Sequence, residues 1–345
     1  MKNAKGKGRL VSIFTSCPLL LIFLLLLVIS CNKSLPVPYE RSDTGSVFVD
    51  ELVPEATRII QEALADDNPL VRVNAIEVVA AAKQVKLMPK VQRLLKDDFV
   101  PVRFAAALAV GDLEYCLAEN SVKQLLEDED ENVKIAAAYA LAELGSSENL
   151  QLIRQAIASS DQSVRANAAL LLGKSGDESA LKFLYWAVQH EGSDDKTRFQ
   201  AAEAIAMLGD ERIYPKLWTM LISAYADDRV VGIRAMGALG TAQAKNALIT
   251  MLDDDILEVR LAAAEQLGMC ADTTGEPEVL DVFTKNLTAG LDKESLERVN
   301  MLTALAIGEV ATAPLTKFLP RLLEDESKFV RISAAKAVFQ CAMKY

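Results

Sequence analysis

One pattern recurs along this chain about every 31 residues: an aliphatic residue, an Arg or Lys, then an alanine-rich run that closes on Leu and often Gly. It stands as VRVNAIEVVA at Arg72, VRFAAALAVG at Arg103, VKIAAAYALAELG at Lys134 and VRANAALLLG at Arg165. It continues as TRFQAAEAIAMLG at Arg198, DRVVGIRAMGALG at Arg229, VRLAAAEQLG at Arg260, ERVNMLTALAIG at Arg298 and VRISAAKAV at Arg331. Successive basic residues lie 31, 31, 31, 33, 31, 31, 38 and 33 apart. A period kept nine times restricts the chain to a stack of supersecondary units, each too small to bury its apolar face alone.

A second apolar stretch with helical spacing precedes each run, as in VQRLLKDD before Arg103, VKQLLEDED before Lys134 and ALITMLDDD before Arg260. Each unit therefore reads as helix A, a tight acidic turn, helix B and a short return loop. Asn68-Pro69 is a start signal for the first B helix, because proline at the first helical position lacks only a donor that would be orphaned anyway. Gly145, Gly176, Gly209 and Gly240 fall at one equivalent place, where a left-handed cap favours glycine.

These residues resemble the HEAT repeat in its short variety of about 31 residues. The resemblance covers 51–345 and implies an all-α fold, an α-solenoid winding as a right-handed superhelix of about nine HEAT-like helix pairs. It also implies a ladder, in which an Asp in the turn and a basic residue six positions later bond along the stack. The spacing is met by Asp66 with Arg72, Asp97 with Arg103, Asp128 with Lys134, Asp254 with Arg260, Asp292 with Arg298 and Asp325 with Arg331. Ser159, Gly192 and Ser223 take the acidic place in the fourth to sixth repeats, where the ladder is expected to break. The long period from Met269 to Leu291, with its loop ADTTGEPE, is expected to bulge from the stack as a bend or a binding loop.

A curved solenoid offers one extended concave surface lined by its B helices. Counted from the basic residue, positions three, seven and ten are Ala or Leu-like in nearly every copy and belong to the core. At 100° per residue, positions two, five and nine point the other way. Position five reads Glu77, Leu108, Tyr139, Leu170, Glu203, Arg234, Glu265, Thr303 and Lys336. Leu108, Tyr139 and Leu170 are the expected centre of a partner-binding stripe on this face, rimmed by Asn167, Asp112 and Glu143. The alternative is that these side chains lean onto adjacent helices.

The amino end carries an address. Lys2 to Arg9 form a basic segment, Leu19 to Ile29 an apolar run, and Val28-Ile29-Ser30-Cys31 resembles the lipobox of bacterial lipoproteins. The resemblance implies a signal peptide over 1–30, a diacylglycerol on Cys31 and export to a bacterial envelope. By analogy with lipoprotein sorting in enteric bacteria, Asn32 implies the periplasmic side of the outer membrane in a Gram-negative cell. An uncleaved anchor from Leu10 to Ser30 is the rival reading. Residues 31–50, with two prolines and no helical period, read as a flexible tether.

Composition narrows the partner. The net charge is −11, and the first 31 residues hold four basic residues and no acidic one, so 33 basic residues face all 48 acidic ones in the rest, a net −15. Such a body repels phosphate backbones, so no nucleic-acid partner is expected. His190 is the single histidine, which leaves histidine-based triads and multi-histidine metal sites only that residue. Its neighbour Glu191 makes one His-Glu pair, of which HEAT-like deoxyhypusine hydroxylases use several. Cys116, Cys270 and Cys341 lie two or more repeats apart, too far to pair, and Trp186 and Trp218 read as packing residues of A helices. The expectation is a scaffold that binds a protein or peptide on its concave face, with no catalysis, cofactor or metal. An enzyme subunit and an envelope spacer are the rivals.

Overall fold

The computed structural model describes residues 43–344; the signal segment, Cys31 and the start of the tether lie outside the described residues. The protein is 77% helix, with 19 helices and no strand among the described residues. The B helices are α2 (Pro69–Ala81), α4 (Val100–Asp112), α6 (Glu131–Glu143), α8 (Gln162–Lys174), α10 (Asp195–Met207), α12 (Ala226–Leu239), α14 (Leu257–Met269), α16 (Lys293–Val310) and α19 (Lys328–Lys344). The A helices before them are α1 (Asp43–Ala63), α3 (Met88–Leu94), α5 (Glu119–Gln124), α7 (Leu150–Ala156), α9 (Leu181–Gln189), α11 (Tyr214–Leu221), α13 (Ala242–Thr250), α15 (Glu276–Thr284) and the pair α17 (Ala313–Thr316) and α18 (Leu319–Leu323). The tether expected to run to residue 50 gives way to α1 at Asp43, and Val49 is already fully buried.

Helix ends follow the local chemistry. Asn68 caps α2 by accepting the Leu70 N–H at 2.9 Å, with Pro69 next. Gly145, Gly176, Gly209 and Gly240 all carry positive φ after their B helices. The equivalent turns of repeats one, two, seven and eight put Lys83, Glu114, Ala271 and Ala311 in the same left-handed region.

The acidic turns build a ladder. Asp66, Asp97, Asp128, Asp254 and Asp325 each accept, on the side chain, the backbone N–H two residues on, at 2.8–3.0 Å. Arg72 and Arg103 each donate one N–H back to the carbonyl of their own turn. Each then swings the other guanidinium edge onto the next repeat's carboxylate, Arg72 onto Asp97 at 2.9 and 2.8 Å and Arg103 onto Asp128 at 2.8 and 2.9 Å. Arg229 bridges to Asp254 in the same way, at 2.8 Å. These paired, largely dry contacts have the bidentate geometry that suits guanidinium and carboxylate.

The ladder changes where the acid changes. Arg165 donates instead to the carbonyls of Ser159 and Gly192, both at 2.6 Å, and Lys134 makes no ladder bond among the described residues. Arg260 pairs with Glu278 rather than Asp292, which caps α16 by accepting the Ser295 N–H at 2.9 Å. Arg298 faces Glu258 and Glu294 rather than Asp325, and Arg331 bonds the carbonyls of Asp325 and Glu326 in its own turn.

Each B helix packs on the next, and the series does not end: α19 packs against both α1 and α2. Lys328 of the last repeat donates to Asp66 of the first at 2.5 Å. The carboxylate that has no preceding repeat thus takes its cation from the ninth, and the solenoid closes into a ring with B helices inside and A helices outside.

The B helices approach closely where a glycine ends the alanine run. A Cβ on Gly173 would lie 2.7 Å from the Ala204 Cα of α10, and one on Gly268 would lie 2.6 Å from the Glu309 and Val310 backbone of α16. Backbone cannot retreat as a side chain can. Gly173→Val should therefore lower stability by about 1–3 kcal/mol, read as a lower thermal midpoint with the helical circular dichroism of the native state unchanged.

Candidate interaction surfaces: the hub and the outer face

The side chains expected to line a concave groove do not reach solvent. Leu108 and Tyr139 are 2% exposed and Leu170 is 1% exposed. They lean instead onto flanking repeats: Tyr139 bonds Asp112 of the second repeat and lies beneath Lys174 of the fourth, and each B helix packs on the next. Glu77, Glu203, Glu265, Thr303 and Lys336, at the same position in other repeats, are buried with them. A helix that is apolar around most of its circumference is one covered on both sides, and VRFAAALAVG and VRANAALLLG carry that signal.

The expected rim is bonded to this layer without being enclosed by it, Asp112 staying exposed and Asn167 and Glu143 half-buried. Asp112 accepts the Tyr139 Oη–H at 2.8 Å and is bridged by the Lys174 Nζ at 3.0 Å. The Lys174 contact skips the third repeat, and its ammonium stands 5.9 Å from the Tyr139 ring centroid. Asn167 donates from its amide to Asn132 Oδ1 at 2.8 Å. Burial, reinforced by Asp112, pushes the Glu143 carboxyl up to about 6 and also raises the Tyr139 phenol.

Carboxylates dominate the rest of the hub. Glu203 accepts from Gln200 at 3.0 Å and lies 3.6 Å from Arg234. Glu309 accepts from Gln340 and pairs with Lys344 at 2.9 Å. Glu77 is fully enclosed, and neither carboxylate oxygen has a hydrogen-bond partner. Burial holds its proton well above the usual carboxylate range, against the pull of Lys336 and Lys174. Burial likewise pushes Glu265 up to about 7, with Glu309 adding to the rise and Lys336 and Arg234 opposing it.

Among the described residues, four of the eleven large apolar side chains that reach solvent, both tryptophans included, belong to repeats five and six. Trp186 on α9 is 40% exposed, Trp218 on α11 is 38% exposed, and Ile222 and Tyr225 in the following turn are 65% and 70% exposed. Trp186 stacks on His190 at 4.3 Å between ring centroids, and Tyr214 on Trp218 at 6.4 Å. Arg212, just before α11, lies over the Tyr185 ring of α9 at 5.4 Å, so the two helices share one surface. Both tryptophans were expected inside the packing. The A helices carry one row against their B partner and leave these bulky residues on the flank, which composition alone does not separate.

Cys341 is buried, and burial pushes its thiol up to about 12, whereas Cys270 is half-buried and Cys116 exposed. The long seventh-to-eighth period is taken up by an eight-residue turn, 285–292, and by the 18-residue α16.

HEAT repeats are recognised over residues 56–126 and 150–231, and a PBS lyase HEAT-like repeat over 133–159, so the chain carries HEAT repeats. No curated protein matches it. Among solved structures it is similar to human deoxyhypusine hydroxylase in complex with glycerol, at 16% identity over 77% of this chain and 99% of that one, with a TM-score of 0.38. The complex of CpcE and CpcF of phycocyanin lyase from a Nostoc species is similar at 18% identity, 72% and 93% coverage and a TM-score of 0.41. Importin beta is similar at 15% identity, 85% and 48% coverage and a TM-score of 0.34.

The hub makes stability depend on pH in a defined direction. A carboxyl whose folded pKa is raised adds stability that is fully present below the unfolded value near 4.5 and is lost as pH rises through the folded value. For Glu265 the window is about pH 4.5 to 7 and the loss is about 3 kcal/mol. Thermal midpoints should fall between pH 5.5 and pH 8, and Glu265→Gln should flatten that slope. A wild-type midpoint that rises over this range would contradict the assignment.

Proposed function

We propose that this chain is a lipid-anchored, non-catalytic scaffold of the bacterial cell envelope whose HEAT ring holds a protein partner on the outer face of repeats five and six. The exposure of Trp186, Trp218, Ile222 and Tyr225 carries the reading. Aromatic side chains with an apolar body and a polar edge are the residues that protein interfaces concentrate, and an adjoining group of them on a folded surface marks an interaction site. The burial of Glu77, Glu203 and Glu265 inside the ring supports a binding role over chemistry, because these carboxyls do not face solvent. The anchor reading rests on the basic segment, the apolar run and Cys31 in the sequence. Among the described residues no helix is long and apolar enough to cross a membrane.

Two experiments test this. Crosslinking in the native envelope, followed by recovery of the chain, should yield a partner with wild type that the double variant Trp186→Ser, Trp218→Ser loses at least roughly tenfold. Equal recovery by both, with native circular dichroism in each, would move the reading to a spacer without a ligand on this face. Cys31→Ala should abolish incorporation of labelled fatty acid and release the chain or leave its amino end uncut; undiminished labelling would remove the anchor.

A further inference from the structure

The ladder contains its own record of what its carboxylates hold. Five of them, Asp66, Asp97, Asp128, Asp254 and Asp325, share one geometry, fixed by the backbone N–H two residues on. Four carry a cation: Lys328, Arg72, Arg103 and Arg229 respectively. Asp325, the fifth, has no salt bridge among the described residues and accepts instead the neutral Asn300 amide at 3.1 Å. The cause lies in the long repeat. Its 18-residue α16 begins earlier than the other B helices, and Arg298 is directed to Glu258 at 3.8 Å and Glu294 at 3.4 Å.

Beside that rung is a cavity of about 240 Å³ lined by Phe283, Asn300, Arg321, Glu324, Asp325 and Glu326, among others. It lies below the roughly 300 Å³ at which pockets for drug-sized molecules begin, and has room for one side chain. Three carboxylates against one guanidinium give its lining a net negative charge. Phe283, stacked on Phe318 at 3.9 Å between centroids, forms a rigid aromatic wall.

We propose that this cavity receives the guanidinium of an arginine side chain from a protein partner, completing the rung that the chain itself leaves without a cation. Guanidinium is favoured over ammonium because three of the four filled rungs use it, in paired contact with both carboxylate oxygens. The site belongs to repeats eight and nine and does not rest on the aromatic face of repeats five and six.

The test uses the full chain in detergent, labelled with ¹⁵N-asparagine and ¹⁵N-serine, and N-acetyl-arginine methylamide as the probe. The Asn300 side-chain amide and the Ser327 backbone amide should shift saturably in the millimolar range. The citrulline analogue, equal in shape and uncharged, should bind at least roughly tenfold more weakly, and Asp325→Asn should weaken arginine by a similar factor. Equal response to citrulline, or undiminished binding by Asp325→Asn, would overturn the proposal. Asn300→Arg places a guanidinium on the rung from within and should raise the thermal midpoint and abolish the response. Native folding of that variant with arginine still bound would also overturn it. None of these readouts involves Trp186 or Trp218, so the failure of one site leaves the other standing.

Discussion

The close contact between successive B helices governs this molecule. Where alanine and glycine face a neighbour, as at Gly173 against Ala204 and Gly268 against Val310, the helix axes draw together on the inner side, while bulkier A helices hold the outer side apart. Repeated nine times, that wedge turns a row of helix pairs through a full circle. Ladder bonds such as Arg103 to Asp128 tie each turn to the next but do not supply the curvature, for the ring continues past repeats four and five, where carbonyl contacts replace them.

Closure alters the energetics that a linear array would have. An open solenoid needs terminal repeats with polar outer faces, because its end units expose apolar surface. Here α19 covers what α1 and α2 would expose, and Asp66 finds a cation that sequence order denies it. The same closure draws ionisable side chains into a dry centre. Glu77, without a hydrogen-bond partner, and Glu265, with its raised carboxyl, are the destabilising consequence.

Much of this was legible from the residues. The helix pairs, the caps at Asn68 and the four glycines, and the turn carboxylates follow from local chemistry that acts within one repeat. The fate of Leu108, Tyr139 and Leu170 does not, because a helical wheel treats one repeat at a time and burial here comes from side chains of the flanking repeats. Tyr139 reads as an exposed aromatic by angle, yet it bonds Asp112 of the repeat before and lies beneath Lys174 of the repeat after. Trp186 and Trp218 fail in the opposite sense: their size suggests a core, but their angle on short A helices leaves them outside. The idle rung at Asp325 is also invisible in sequence, since its spacing from Arg331 matches that of the filled rungs from their own basic residues.

The bond from Lys328 to Asp66 has a topological meaning beyond its energy. A row of repeats has a first and a last member, whereas in this ring the first and ninth repeats are also neighbours. Opening the chain at another return loop between a B helix and the next A helix, with α19 joined to α1, would leave every neighbour relation in place. The packing of the nine repeats is then set by their cyclic order rather than by which of them comes first.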